Sequence, residues 1–464
     1  MAFGRVHFGL PSPDLFRFPP RDDPLPLPPP AAGSSPAAPP FTIPADIFNA
    51  ALDVRVPITI AAIYAVTVMS VNKYNKSRGF KPWAISKTKP FFWFVVAHNI
   101  FLAVYSAWTF IGMVGALRAS VAKWTGPGGL SGTVDSLCKV HGIPDVGNAV
   151  VYDQNTSQWV SHNPSVHLTS AGTPDSTDLG RLWNEGLAFY GWIFYLSKFY
   201  EVLDTAIILA KGKKSSTLQT YHHAGAMMCM WAGIRYMSAP IWVFCTVNSA
   251  IHALMYTYYT LTAFSVPIPT PLKRSLTTMQ IIQFVAGASY AMFHSFIFYT
   301  IPVQVSEIEP TLSGAASAAS TVISSAASAA TSAGAVSALK KLLFRAAGEE
   351  GLAENVNRGF HTRHASQLNV RGQTYHTEFQ TVPCVDTSGQ TFALWLNVFY
   401  LAPLTWLFVR FFIRSYLRRS SPKQIRQGGV RLDVVENAAG DALKGLQREM
   451  DLKGNLNEKN TKKN

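Results

Sequence analysis

Seven apolar stretches leave this chain little choice of fold. They cover roughly residues 55–72, 91–117, 186–210, 217–238, 240–264, 276–303 and 392–416. A bilayer core asks for ~20 apolar residues per helix, and all of the blocks but the first reach that length. The first is short, and the fourth carries two histidines. The chain has 464 residues, 48% hydrophobic and only 14% charged, whereas soluble domains run near ~25% charged. The expected fold class is therefore all-α integral membrane, with seven transmembrane helices. A disordered chain and a highly solvated enzyme are both excluded. Pro240 separates the fourth and fifth blocks with almost no loop, which predicts a tight helical hairpin.

The regions between blocks divide the chain. Residues 1–54 hold 13 of the 29 prolines and read as a disordered, Pro-rich tail, because proline supports neither helix nor sheet interiors. They lack the basic start and apolar core of a signal peptide, so the first block reads as an uncleaved anchor. Residues 55–303 carry the first six helices and 392–416 the seventh. Residues 304–391 read as an insertion whose run 313–339 is almost all Ala, Ser, Thr and Val. Its Ser and Thr content makes a weak span, and an eighth crossing would reverse the side of the last segment. Residues 417–464 form a basic tail, in which only Lys462 occupies a position of a dilysine retrieval signal.

Charge orients the helices. Segment 73–90 has six basic residues and no acid, and the chain from Arg410 on is net +7. Segments 1–54 and 118–185 are each net −2, and 304–391 is net −1. By the positive-inside rule the N-terminus is lumenal and the C-terminus cytosolic. The overall +14 lies beside apolar blocks, which favours a membrane surface or an anionic substrate over nucleic acid. Of two glycosylation sequons, Asn155 lies in a lumenal loop and Asn75 on the cytosolic side. Four cysteines without a C-x-x-C pair exclude a disulfide scaffold and a zinc ribbon. Cys138 and Cys384 fall in the two large lumenal loops and are expected to pair, while Cys229 and Cys245 lie in spans and are expected to be free.

Polar groups at membrane depth are costly and mark function. Lys198, Glu201, Asp204 and Thr205 share one face of the third block. Gln219, His222 and His223 open the fourth. Asn248, His252, Tyr256 and Tyr259 form a stripe in the fifth, for whose tyrosines an interfacial belt is an equal reading. Thr277, Gln280 and Gln283 share a face of the sixth, where helix–helix hydrogen bonding is an alternative. His98 and Asn99 add to the second, with structural and functional roles both open. Given the orientation, all five sets fall in the cytosolic half. The expected shape is a polar site open to the cytosol above an apolar remainder, suited to an anionic head on a long apolar tail.

These residues also carry a family resemblance. "KFYEVLDT" from Lys198 to Thr205, "HALMYTYY" from His252 to Tyr259 (which includes Tyr258), "TTMQIIQF" from Thr277 to Phe284 and "QTYHH" from Gln219 to His223 stand in order. Together they resemble the ELO family of fatty acid elongases, over about residues 55–303 and 392–416. The family's box is H-x-x-H-H, so Gln219 replaces its first histidine. The resemblance implies a 3-ketoacyl-CoA synthase of the endoplasmic reticulum, condensing acyl-CoA with malonyl-CoA and releasing CO2 and CoA. It implies six of the seven helices enclosing a closed-ended tunnel, no cofactor and no metal. It also implies neighbours in the elongation cycle: a ketoacyl reductase, a dehydratase and an enoyl reductase. The box histidine that takes the acyl group maps onto His222. Imidazole acts as a nucleophile when neutral, and His223, His252, Gln280 and the tyrosines are the available donors for developing negative charge. Lys213, Lys214, Lys273 and Arg274 lie at the expected mouth and suit CoA phosphates.

Two other classes compete. A membrane di-iron desaturase or hydroxylase uses more histidine ligands than the five in these blocks, namely His98, His222, His223, His252 and His294. A retinal protein needs a lysine in its last helix, and 392–416 has none. A seven-helix receptor fits the topology but not the ionisable face of the third block.

Overall fold

Three of the long helices start on hydroxyl caps. The side chains of Thr88, Ser216 and Thr387 accept the backbone amides of Phe91, Gln219 and Gln390. Each cap satisfies an amide that has no partner inside its helix, worth about 1 kcal/mol. The protein is described here from a computed structural model that covers residues 5–21, 23–307 and 374–417. Strand β1 (Val6–Phe8) leads through an extended segment to α1 (Ala45–Ala51), α2 (Arg55–Ser77) and α3 (Lys89–Ser120). Helix α4 (Gly129–Cys138) and the hairpin of β2 (Val150–Asp153) and β3 (Gln158–Ser161) follow. The third apolar block is a helical run in three parts: a π-helical stretch at Trp183–Gly191, then α5 (Trp192–Tyr200) and α6 (Val202–Ala210). Next come α7 (Thr217–Arg235), α8 (Ser249–Ala263), α9 (Thr270–His294), β4 (Ile297–Glu307), β5 (Thr374–Pro383) and α10 (Ser388–Phe412).

The described residues are mostly helical. Four stretches are long and apolar enough to cross a bilayer: Arg55–Ser77, Lys89–Ser120, Ala239–Ala263 and Ser388–Tyr416. The chain is a multi-pass integral membrane protein. Its core is built where the third block, α7 and α10 meet, around Trp183, Leu187, Tyr195, Ile234 and Leu404, all fully buried. The α7–α8 connection is short: α7 ends at Arg235 and a 3-10 turn at Ala239–Ile241 begins the return.

Two expectations are corrected. The sixth block does not stay helical to residue 303. Its helix ends at His294, and residues from Ile297 form β4, the middle strand of an antiparallel sheet ordered β1–β4–β5. The physical reason is local. Ile297-Phe298-Tyr299-Thr300-Ile301-Pro302-Val303 is β-branched and aromatic, and Pro302 cannot continue a helix. Tyr299 and Ile301 are buried on one face, the period of two that a strand imposes. Pro302 pairs with Phe379 beyond the reach of β1, which covers only residues 297–299, so its missing N–H costs no ladder bond to β1. The ends of the 304–391 insertion are thus a strand pair. The Ala/Ser-rich run 313–339 and the tail from 418, with its dilysine-like end, lie outside the described residues.

The second correction concerns the Pro-rich segment. Its described part is ordered and laid across a cap made by α4, the hairpin and the sheet. Trp183 donates its indole N–H to the Leu27 carbonyl at 2.9 Å, and Arg235 donates to the Pro24 carbonyl at 2.9 Å. Thr387 donates to the Asp23 carboxylate at 3.0 Å. A proline-rich chain forms no ladder, so its carbonyls stay available to buried donors elsewhere. Burial holds the Asp23 carboxyl above its usual range against the hydrogen bonds of Gln154 and Thr387. Cys138 and Cys384 form a disulfide that ties α4 to the turn before α10, and Cys229 and Cys245 are free and buried.

Candidate active site

The junction of α5 and α6 places two carboxylates one after the other, and each finds a different set of partners. Glu201 accepts from Lys198 Nζ at 2.7 Å and from the Ser197 hydroxyl at 3.1 Å, with His252 Nδ1 at 3.8 Å. Lys198 and Glu201 are both buried, and the ammonium also stands over the Phe194 ring at 4.0 Å. Such a pair survives burial only because the remaining acceptor positions are also filled. Asp204 accepts from His98 Nε2 at 2.9 Å and from the Tyr256 hydroxyl at 2.6 Å. The ring of His98 meets the Tyr200 hydroxyl at 3.3 Å through Nδ1, and Asn99 is buried beside it. Thr205 faces a third direction, with Tyr64 at 2.9 Å and Gln219 at 3.4 Å.

Helix α7 splits its polar triplet between two surroundings. Ser216 and Gln219 have the spacing of a capping box, in which a glutamine three residues on folds back to the cap. Here the Gln219 amide turns instead to Thr205 and to His223 Nε2, 3.1 Å away. His222 is a residue earlier and so ~100° round the helix. It faces α10, where Tyr400 lies 3.0 Å from its Nδ1 and 2.9 Å from its carbonyl oxygen. A carbonyl only accepts, and two oxygens at that distance without a proton between them repel. The phenolic proton therefore goes to the carbonyl, and the phenol oxygen receives Nδ1–H. That tautomer leaves the Nε2 lone pair of His222 unprotonated, and among the described residues Nε2 makes no hydrogen bond.

His222 lines a cavity with Lys198, Asn248 and Tyr400 as its other polar neighbours. The rest of the wall is apolar, including Phe194, Ala226, Met230, Phe244, Phe284 and Leu404. A second cavity lies in the cap, bordered by Lys139, His141, Trp159 and Asp386. It lies apart from every motif residue.

The remaining motif residues separate. Asn248 donates to Gln283 at 3.4 Å, so these two brace α8 against α9. Gln280 points at the Met255 sulfur, 3.5 Å away, and Thr277 bonds back to the Lys273 carbonyl in its own helix. Tyr258 is half-buried and Tyr259 exposed. Lys213, Lys214 and Arg274 are exposed and Lys273 half-buried. Arg274 stacks over Phe412. Asn155 is exposed in the β2–β3 turn and accepts from Arg21 at 3.3 Å. Two site residues escape motif reading: Tyr400, which holds His222, and Tyr64, which holds Thr205. Each is a hydroxyl inside an apolar block, the same signal that flagged the other blocks.

A family model described as "ELO: GNS1/SUR4 family" matches residues 49–424. The chain belongs to that family. It is 29% identical over 123 residues to Fatty acid elongase 2 of Trypanosoma brucei brucei, covering 26% of this chain and 45% of that protein. It is 36% identical over 105 residues to the human Very long chain fatty acid elongase 3, covering 23% and 39%. It is 38% identical over 101 residues to Fatty acid elongase A of Dictyostelium discoideum, covering 22% and 36%. The matched part spans less than half the length of each of these relatives.

Proposed function

We propose that the protein is a fatty acid elongase of the 3-ketoacyl-CoA synthase type, condensing a long-chain acyl-CoA with malonyl-CoA. The observation that carries this reading is the wall of one cavity: an imidazole held with Nε2 free, an ammonium and an amide close to it, and apolar side chains beyond. His222 Nε2 attacks the thioester carbonyl, and the C–S bond breaks to release CoA thiolate, which takes up a proton. The acyl group is then held on imidazole. Loss of CO2 from malonyl-CoA leaves an enolate, whose carbon attacks the acyl carbonyl. The new C–C bond forms as the C–N bond breaks, and His222 returns neutral. Lys198 and Asn248 stand where negative charge develops on oxygen. Glu201, itself bonded by Ser197 and faced by His252, holds Lys198 in place, and His98 and Tyr256 hold Asp204.

On this reading seven helices span the endoplasmic reticulum membrane, with the disulfide-linked cap lumenal and the C-terminus cytosolic. Lys213, Lys214, Lys273 and Arg274 are then the cytosolic charges available to CoA phosphates, and the reductases and dehydratase of the cycle are the partners. No cofactor enters the chemistry. Purified protein in liposomes, given malonyl-CoA labelled at its free carboxyl and acyl-CoAs of graded length, tests the reading. The expected result is labelled CO2 and a 3-ketoacyl-CoA for part of that series. Turnover with none of them contradicts it.

A further inference from the structure

The segment ahead of α1 carries apolar side chains that neither the core nor the site uses. Phe8, Leu10 and Phe18 are 71%, 87% and 77% exposed, and Phe16 about half. Apolar side chains gain by leaving water, so holding four of them in water on a fixed backbone is costly. The backbone here is indeed fixed. β1 pairs with β4, the Gly9 amide donates to the Phe296 carbonyl at 2.9 Å, and the Arg21 amide donates to Ser388 at 3.0 Å.

Their position explains the exposure. Phe8 meets Phe293 in the last turn of α9, while Phe16 and Phe18 meet Trp395 and Phe392 in the first two turns of α10. Along α10 the outward stripe continues through Phe399 and Trp406, 69% and 58% exposed, at helical steps of four and seven. This helix is one of the four able to cross a bilayer. The segment thus prolongs an outward apolar stripe at the point where the helix leaves the membrane, with Arg5 ahead of it and Arg17 between Phe16 and Phe18, both exposed. Aromatic rings beside arginines at that depth suit the headgroup boundary.

We propose that residues 7–18 form a strap seated in the bilayer leaflet on the cap side, with a lipid surface as its partner. The rings and Leu10 enter the acyl boundary, and Arg5 and Arg17 sit at phosphate level. The strap then continues to Asp23 and Pro24, whose bonds to Thr387 and Arg235 fasten the bilayer surface to the ends of α10 and α7. The inference rests on α10 being a membrane span.

A nitroxide on Leu10→Cys tests it in phosphatidylcholine liposomes. The native free thiols are buried, so one site is labelled. Phe399→Cys serves as the lipid-facing reference and Gln158→Cys, on the exposed hairpin, as the aqueous one. The proposal expects Leu10 to follow Phe399, with collisional relaxation by oxygen exceeding that by a water-soluble nickel chelate. If Leu10 follows Gln158, or is shielded from both reagents by another protein surface, the strap proposal is overturned. If Phe399 itself behaves as aqueous, the membrane assignment of α10 fails first and takes the strap with it.

Discussion

The hydroxyl of Tyr400 touches His222 twice, at Nδ1 and at the carbonyl oxygen, across 178 residues of sequence. The two contacts together choose the tautomer of a ring that no other described side chain hydrogen-bonds. Tyr400→Phe keeps the ring stacked on Tyr221 but removes both contacts. The expected outcome is a loss of about 10- to 100-fold in kcat, by analogy with the outer partners that orient metal-bound histidines, with little change in KM. An unchanged kcat contradicts the tautomer argument.

Lys198 and Glu201 form a buried pair, and removing either partner strands a charge. Lys198→Met alone should destabilise the protein by about 3–5 kcal/mol, seen as a drop in the denaturation midpoint in detergent micelles. The double variant Lys198→Met/Glu201→Gln should recover much of that loss without recovering turnover. Equal losses in single and double variants would show that the pair is not coupled.

Asn75 and Asn155 answer the glycosylation question differently from charge alone. Asn75 is fully buried, donating to the Leu209 carbonyl at 2.8 Å and accepting from the Trp83 indole at 2.8 Å. A glycan is sterically impossible there on either side of a membrane. Asn155 is the sequon open to modification in the described cap. Peptide mass analysis after expression in a glycosylating host checks this: sugar on Asn75 contradicts the fold around it, not merely its orientation.

Much of the fold was legible because hydropathy acts locally. Helices α2 and α3 start within two residues of blocks one and two. The sixth block was read too long because Tyr299, Ile301 and Val303 raise hydropathy whether helical or extended, although Pro302 was the available warning. The order in the Pro-rich segment was not legible. It depends on donors from Trp183 and Arg235, 156 and 211 residues away, and no local pattern announces them. Within the site, the i,i+3 pairing of Lys198 with Glu201 follows from helix geometry. The choice of His98 for Asp204 spans 106 residues and follows only from packing.

The cap carries a pH dependence of definite sign. His141 is buried against Trp159 and Trp183, and burial pushes its pKa down to about 3. The folded state therefore binds fewer protons than the unfolded one between about pH 6.5 and 3. Its contribution is fully present above that range and is lost as pH falls, at about 1.4 kcal/mol per pH unit. His162 is lowered by burial and acts in the same direction, while Asp23 and Asp386 are raised by burial and act in the opposite one. Hydrogen exchange of the β2–β3 amides, compared between wild type and His141→Phe across pH 4–6.5, isolates the His141 share. Parallel pH profiles for the two proteins would show that it has none.

In the proposed reaction His222 Nε2 carries the acyl group. Purified protein incubated with acyl-CoA alone, then digested and weighed peptide by peptide, measures it directly. The expected outcome is release of free CoA and the acyl mass on the peptide containing His222. In His222→Ala that mass and all condensation should be absent while the protein stays folded in the membrane. Protein that condenses both substrates yet never shows acyl on His222 would contradict it.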